Sequence, residues 1–169
     1  LLEYLIHSRS YQVMTNSPTF DKQLALVEYW KQIGGTIMLP GTNRASDRFA
    51  RASFYINAIP KNDNTKQAQA SVFSVIRNAS VPYGLNTQEE PNISSTRWRT
   101  VADHKQMLYF FESALSPNVF WVDLKKINFK DGKTRRLDLG PDQSYIYAGD
   151  ATSSFKIAKP FVFLGPTTR

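Results

Sequence analysis

The chain contains no cysteine. That excludes disulfides, thiolate metal sites and a cysteine nucleophile from its 169 residues, and it leaves the redox compartment unreadable. Histidine is scarce as well. His7 and His104 are the two present, too few for a histidine-rich metal site. The Gly-rich dinucleotide fingerprint, the P-loop, HExxH and CxxC are all missing, so no cofactor is expected. No hydrophobic run approaches the roughly 18 residues of a transmembrane helix, and no membrane span is expected. Leu1-Leu2-Glu3-Tyr4 has neither the basic segment nor the small-residue cleavage site of a signal peptide. Acidic residues are outnumbered, 14 against 21 basic ones, for a net charge of +7. The excess is scattered over Arg97/Arg99, Lys125-Lys126 and Lys130 to Arg136. The last group surrounds Asp131-Gly132 and reads as a solvated hairpin tip, so nucleic acid is not an expected partner.

What is present is a globular composition, 41% hydrophobic and 13% aromatic, in a length that suits one domain. Residues 8–15 read as a strand. Ser17 to Asp21 suits a helix start, with Pro18 early in the first turn. Leu26, Val27, Trp30 and Ile33 are spaced as the stripe of a helix over Leu24 to Ile33, ended by Gly34-Gly35. Ser46 is the expected N-cap of a second helix, DRFARASFYINAI, closed by Pro60. A third helix follows KNDNTKQ, with Ala68, Val72, Val75, Ile76 and Ala79 as its stripe. The second half changes character. TRWRTVAD, LYFFES, NVFWVDL, INF, YIYAG and FVFLG read as strands, with Asp131-Gly132 as a hairpin turn between INFK and TRRLDL. The expected class is therefore α+β. LLEYL and IHSRSYQVMTN also read as strands but lack a turn between them. Either they form one strand or residues are missing between Leu5 and Ile6.

Few residues stand out for chemistry on local grounds. His104 and Asp103 sit in VADHKQ, which reads as an exposed turn, and no Ser-His-Asp arrangement emerges. Glu89-Glu90 and Asp142 have no obvious carboxylate partner for paired-acid chemistry. Asn16 stands at a strand end beside Ser17-Pro18. It is either an ordinary turn former or an amide whose NH₂ faces a developing oxyanion. Arg48 falls in the first turn of the second helix, where a cation opposes the helix dipole. It is either exposed and tolerated or held for a partner anion. Trp30 and Tyr83 read as packing residues that could also line a pocket. The sequons Asn78-Ala79-Ser80 and Asn92-Ile93-Ser94 read as chance matches.

Four collinear segments add to this reading. MTNSPTFDKQL, LPGTNRASDRFARASFYINAIP, ASVFSVIRNASVPYG and TRWRTVADHKQMLYFFES together resemble the choloylglycine hydrolase family of N-terminal-nucleophile hydrolases, in wording closest to Gram-negative members. The likeness runs from about Tyr11 to Leu139. It implies an αββα four-layer sandwich and hydrolysis of a linear non-peptide amide: penicillin V, an N-acyl-homoserine lactone or a conjugated bile salt. In the family an N-terminal cysteine attacks the carbonyl, its own α-amino group acts as base, and an early arginine and aspartate orient it. Thr15-Asn16-Ser17-Pro18 matches the family's oxyanion segment, which implies that Asn16 belongs to the oxyanion hole. Ser46-Asp47-Arg48-Phe49 matches the segment whose arginine stabilises the nucleophile's charge, which implies that role for Arg48. Arg44, Arg51, Arg97 and Arg99 match no catalytic segment.

The departures shape the remaining expectations. Leu1 cannot be the nucleophile, and the family's early arginine and aspartate are absent. Residues 1–169 therefore resemble a single portion, the C-terminal part of a larger amidohydrolase domain, with Leu1 to Leu5 as the tail of what precedes it. The expected partners are a small-molecule amide substrate and an N-terminal segment or second chain bearing the cysteine. The resemblance adds a homo-oligomer, with a tetramer as one form. It also favours the periplasm or secretion and leaves the cytoplasm open. A cleaved enzyme, a truncated chain and a catalytically inactive homologue acting as a binding or structural protein compete. LYFFES and NVFWVDL favour the first two, because half a sandwich leaves apolar sheet faces to be covered.

Overall fold

The computed structural model describes residues 12–34, 37–61, 63–89, 91, 93–140 and 144–165. They fall into two compact units, Leu1–Thr96 and Arg97–Arg169. The first holds three helices: α1 (Phe20–Gln32), α2 (Ala45–Ala58) and α3 (Thr65–Asn78). The second holds six strands: β1 (Trp98–Asp103), β2 (Leu108–Ser113), β3 (Val119–Asp123), β4 (Arg135–Arg136), β5 (Gly149–Asp150) and β6 (Lys156–Ile157). Helices and sheets coexist, as the α+β expectation requires.

In the helical unit α2 packs against both other helices. Phe20 of α1 meets Phe49 of α2 edge to face at 5.9 Å. Phe49 and Phe73 are the large buried apolar side chains of α2 and α3, each worth about 1.5–3 kcal/mol of burial. Helix α1 ends where Gly34 takes φ +121, a backbone conformation that suits glycine after a helix. Its half-buried stripe is Phe20, Val27 and Trp30, with Gln23 fully buried among them. Leu26 and Ile33, expected on that stripe, are exposed. The stripe of α3 holds: Val75 is buried and Ala68, Val72, Ile76 and Ala79 are half-buried. Asn64 caps α3 by accepting from Gln67 N at 3.2 Å.

Two expectations at helix starts change. Pro18 lies before α1, whose cap position is Thr19. Ser46 lies inside α2, whose cap position is Arg44, and Arg44 makes no side-chain cap bond. The start of α2 is tied instead through Asp47, whose carboxylate accepts from Thr42 N at 3.2 Å and from the Thr42 hydroxyl. The strand expected over residues 8–15 is absent at 12–15, where no described segment offers a ladder partner. Residues 8–11 and LLEYL lie outside the described residues.

In the second unit β1, β2 and β3 form an antiparallel meander, and β5 joins parallel to β3. The register sets Phe111 opposite Phe120 and Phe110 opposite Trp121. One face carries the core: Phe120, Val122, Tyr145 and Ala151, with Phe111, Leu137, Tyr147 and Phe155 packed on it. The Tyr145 hydroxyl accepts from Ser113 N at 3.2 Å and donates to Asn118 O at 3.3 Å. INF does not form a strand. After β3 the chain enters a short 3₁₀ turn, and Asn128 and Asp131 side chains accept from Lys130 N and Lys133 N, each at 3.0 Å. Such local bonds compete with a ladder. Asp131-Gly132 therefore turns the chain without closing the expected hairpin, and β4 pairs with β6. Only the end of YIYAG enters a strand, through Gly149. FVFLG carries no strand, and Leu164 is 99% exposed.

Candidate active site

Asn16 sits in a loop immediately before α1 and is exposed. The loop is tied from below. Gln23, one turn into α1, donates through Nε2 to Thr15 Oγ1 at 3.0 Å and to Pro18 O at 2.6 Å. These acceptors stand on either side of Asn16 in the chain. The Ser17-Pro18 peptide between them is cis.

Arg48 reaches the same place from the first turn of α2. Its Nε donates to Asn43 O at 3.1 Å, and its Nη2 faces Asn16 Oδ1 at 3.5 Å. The second contact is long for a hydrogen bond. A guanidinium has donors only, so the amide atom facing it is the oxygen. The Nδ2 of Asn16 is thereby left with two N–H groups and no acceptor among the described residues. An exposed amide with its donors uncommitted and its oxygen held by a cation can stabilise an oxyanion. The loop under Arg48 is itself clamped. Arg51 is buried and donates through Nη1 to Pro40 O at 2.7 Å and Thr42 O at 2.9 Å, and through Nε to Asn78 Oδ1 at 3.2 Å.

The sequence reading named Asn16 and Arg48, and the structure brings them together from positions 32 apart. It passed over Gln23 and Arg51. Gln23 was the findable one, because a glutamine interrupts the stripe Phe20, Val27, Trp30 at helical spacing. Nothing in the local pattern marks Arg51. The other candidates have ordinary places. His104 is exposed in the turn after β1, and Asp103 caps that turn by accepting from Gln106 N at 2.9 Å. Arg99 pairs with Glu112 across β1 and β2 at 3.4 Å. Tyr83 is half exposed, and Trp30 lines an apolar recess of ≈ 390 Å³ with Phe20, Val27 and Phe54. Neither Asn16 nor Arg48 lines that recess. Among the described residues no three His, Cys, Asp or Glu side chains gather as a metal site, and no helix is long and apolar enough to cross a membrane.

Comparison with known proteins bears on what this loop and helix belong to. The description "Linear amide C-N hydrolases, choloylglycine hydrolase family" matches residues 3–139. The chain belongs to the choloylglycine hydrolase family. Among choloylglycine hydrolase relatives, a penicillin V acylase from Pectobacterium atrosepticum is 60% identical over 173 aligned residues, covering 94% of this chain and 46% of that protein. The solved structure of penicillin V acylase from Agrobacterium tumefaciens is 67% identical, with a TM-score of 0.86 over 95% of this chain and 51% of its own. A mutant of conjugated bile acid hydrolase from Clostridium perfringens is 18% identical, with a TM-score of 0.57 over 92% of this chain and 48% of its own. That last likeness concerns the fold alone. The chain spans about half the length of these relatives. Its α+β fold is that of N-terminal-nucleophile amide hydrolases of this family.

Proposed function

We propose that this chain is the C-terminal portion of an amidohydrolase that cleaves penicillin V, and that the nucleophilic cysteine lies on a preceding segment or a second chain. The single observation that carries the chemistry is the approach of Arg48 Nη2 to Asn16 Oδ1. The 60% and 67% identities to penicillin V acylases favour penicillin V over conjugated bile salts, and N-acyl-homoserine lactones are the second substrate class to screen. The cysteine thiolate attacks the amide carbonyl and its α-amino group takes the thiol proton. The carbonyl electrons move onto oxygen, and the Asn16 Nδ2–H groups donate hydrogen bonds to that oxyanion. The leaving amine departs with that proton, and water releases the acyl group from sulfur. Arg48 orients Asn16 through Oδ1 and sets positive charge beside the thiolate. The apolar recess of the helical unit and exposed residues such as Ile37, 91% exposed, support a covering partner.

A catalytically inactive homologue that binds or supports another protein is the second reading, and the lack of any cysteine in this chain favours it. Native mass spectrometry of the purified protein, with N-terminal sequencing of every chain and penicillin V turnover, separates the two. A cysteine-initiated partner segment with turnover is expected. A compact chain that stays without turnover even when joined to a cysteine-initiated N-terminal segment would sink the enzyme reading. In the active assembly Asn16→Ala should lower kcat by on the order of 10²–10³-fold with little change in KM. Equal effects on both constants would remove Asn16 from the oxyanion hole.

A further inference from the structure

The chemistry proposed for Asn16 and Arg48 makes no use of Gln23, although its setting is unusual. It is 0% exposed on the inward stripe of α1, and its Oε1 has no partner among the described residues. An orphaned buried carbonyl is unfavourable, and an apolar side chain of equal length would avoid it. What the glutamine contributes is its NH₂. One N–H reaches Thr15 Oγ1 and the other reaches Pro18 O, so a single rigid amide spans the loop that presents Asn16. The strut is anchored in a helix whose own first bond runs from Gln23 N to Thr19 O at 3.0 Å. Arg48 holds Asn16 by one long contact from above. Alone, that contact fixes neither the height nor the direction of the exposed amide.

We propose that Gln23 is a positioning residue for the oxyanion hole, holding the Thr15–Pro18 loop so that Asn16 Nδ2 is preset where negative charge develops. This rests on the role proposed for Asn16. Gln23 is buried and touches no substrate; it acts through Asn16. Its effect falls on the transition state, because displacement of an oxyanion donor costs little in substrate binding and much in turnover.

The test is a set of variants of the active assembly, assayed with penicillin V. Gln23→Met keeps length and loses both donors. Gln23→Glu keeps shape and replaces the donating nitrogen with oxygen. Both should lower kcat by on the order of 10²-fold near neutral pH with KM little changed. Gln23→Glu should recover as pH falls, because its protonated carboxyl regains one donor; Gln23→Met should not. The double variant with Asn16→Ala should be no slower than Asn16→Ala alone, since the strut then has nothing to position. Wild-type kcat in both single variants overturns the proposal, as does a loss that multiplies with that of Asn16→Ala. A Gln23→Glu pH profile that overlays the wild type's also overturns it. Should Gln23→Met fail to fold, Gln23→Glu and its pH profile carry the test. If Asn16→Ala itself leaves kcat intact, the oxyanion assignment falls. If Asn16→Ala is slow while Gln23 is indifferent, only the strut falls.

Discussion

Replacing Arg51 with lysine tests the scaffold under the site without reference to turnover. The guanidinium serves Pro40 O, Thr42 O and Asn78 Oδ1 at 2.7, 2.9 and 3.2 Å, from two different nitrogens. An ammonium keeps the charge but gathers its donors on one atom. It can hold one of the two loop carbonyls well, and Asn78 then loses its donor. Charge-assisted hydrogen bonds are worth about 1.5–3 kcal/mol each, so losing one such bond and weakening another should cost about 2–4 kcal/mol. For a protein of this size each kcal/mol lowers Tm by about 2–4 °C, so a fall of roughly 4–16 °C is expected. Thermal unfolding followed by circular dichroism measures it. Amide hydrogen exchange supplies the location: residues 40–48 should exchange faster while β1–β3 keep their protection. A Tm within a degree of wild type refutes the clamp. So does a large fall with unchanged exchange at residues 40–48.

Three further outcomes are expected. Arg48→Lys should lose most of kcat, because one point charge cannot serve Asn43 O and Asn16 Oδ1 together; wild-type turnover would take Arg48 out of the site. Tyr145→Phe removes the bridge from Ser113 N to Asn118 O and should cost about 1–3 kcal/mol, since two hydrogen bonds are lost together; an unchanged denaturation midpoint would refute it. The Asp150 carboxyl is pushed down to about 2, first by its hydrogen bond with Lys126 and then by the Thr152 hydroxyl and N–H. Its folded value lies below its unfolded one, so its contribution is present above about pH 4 and is lost as pH falls toward 2. Carboxyl chemical shifts followed through an NMR pH titration read this directly, and a midpoint near the ordinary aspartate value of about 3.9 would contradict it.

The sequence carried the helices because their apolar spacing is local, and the meander because TRWRTVAD alternates and LYFFES and NVFWVDL are short runs rich in aromatic and β-branched residues. It misplaced features set by side chains reaching back along the chain. Ser46 has the right chemistry for a cap, yet the start of α2 is tied by Thr42 N donating to the Asp47 carboxylate. Asp131-Gly132 has the right chemistry for a hairpin, yet the partner of β4 lies some 20 residues further on, at Lys156–Ile157, a pairing that no nearby pattern encodes. Asn16 and Arg48 become candidates only through the resemblance, because taken alone each has an ordinary turn or surface reading. The clamp at Arg51 was illegible because its partners are mostly backbone carbonyls, which sequence does not distinguish.

The parallel strand β5 gives the second unit an order of assembly. The β1–β2–β3 meander closes through short turns and can form as soon as its residues are available. The Gly149–Asp150 pairing with β3 and the bond from Asp123 N to Thr152 Oγ1 at 2.8 Å must wait until the chain beyond β3 has looped back. Closing that loop is an entropic step that the meander does not share, and non-local pairing of this kind is slow. Until it happens, Phe120 and Val122 lack Tyr145 and Ala151 above them. The newborn sheet therefore has one apolar face awaiting its last segment. A chain interrupted before Tyr145 would keep that face bare, a natural handle for chaperones or for aggregation.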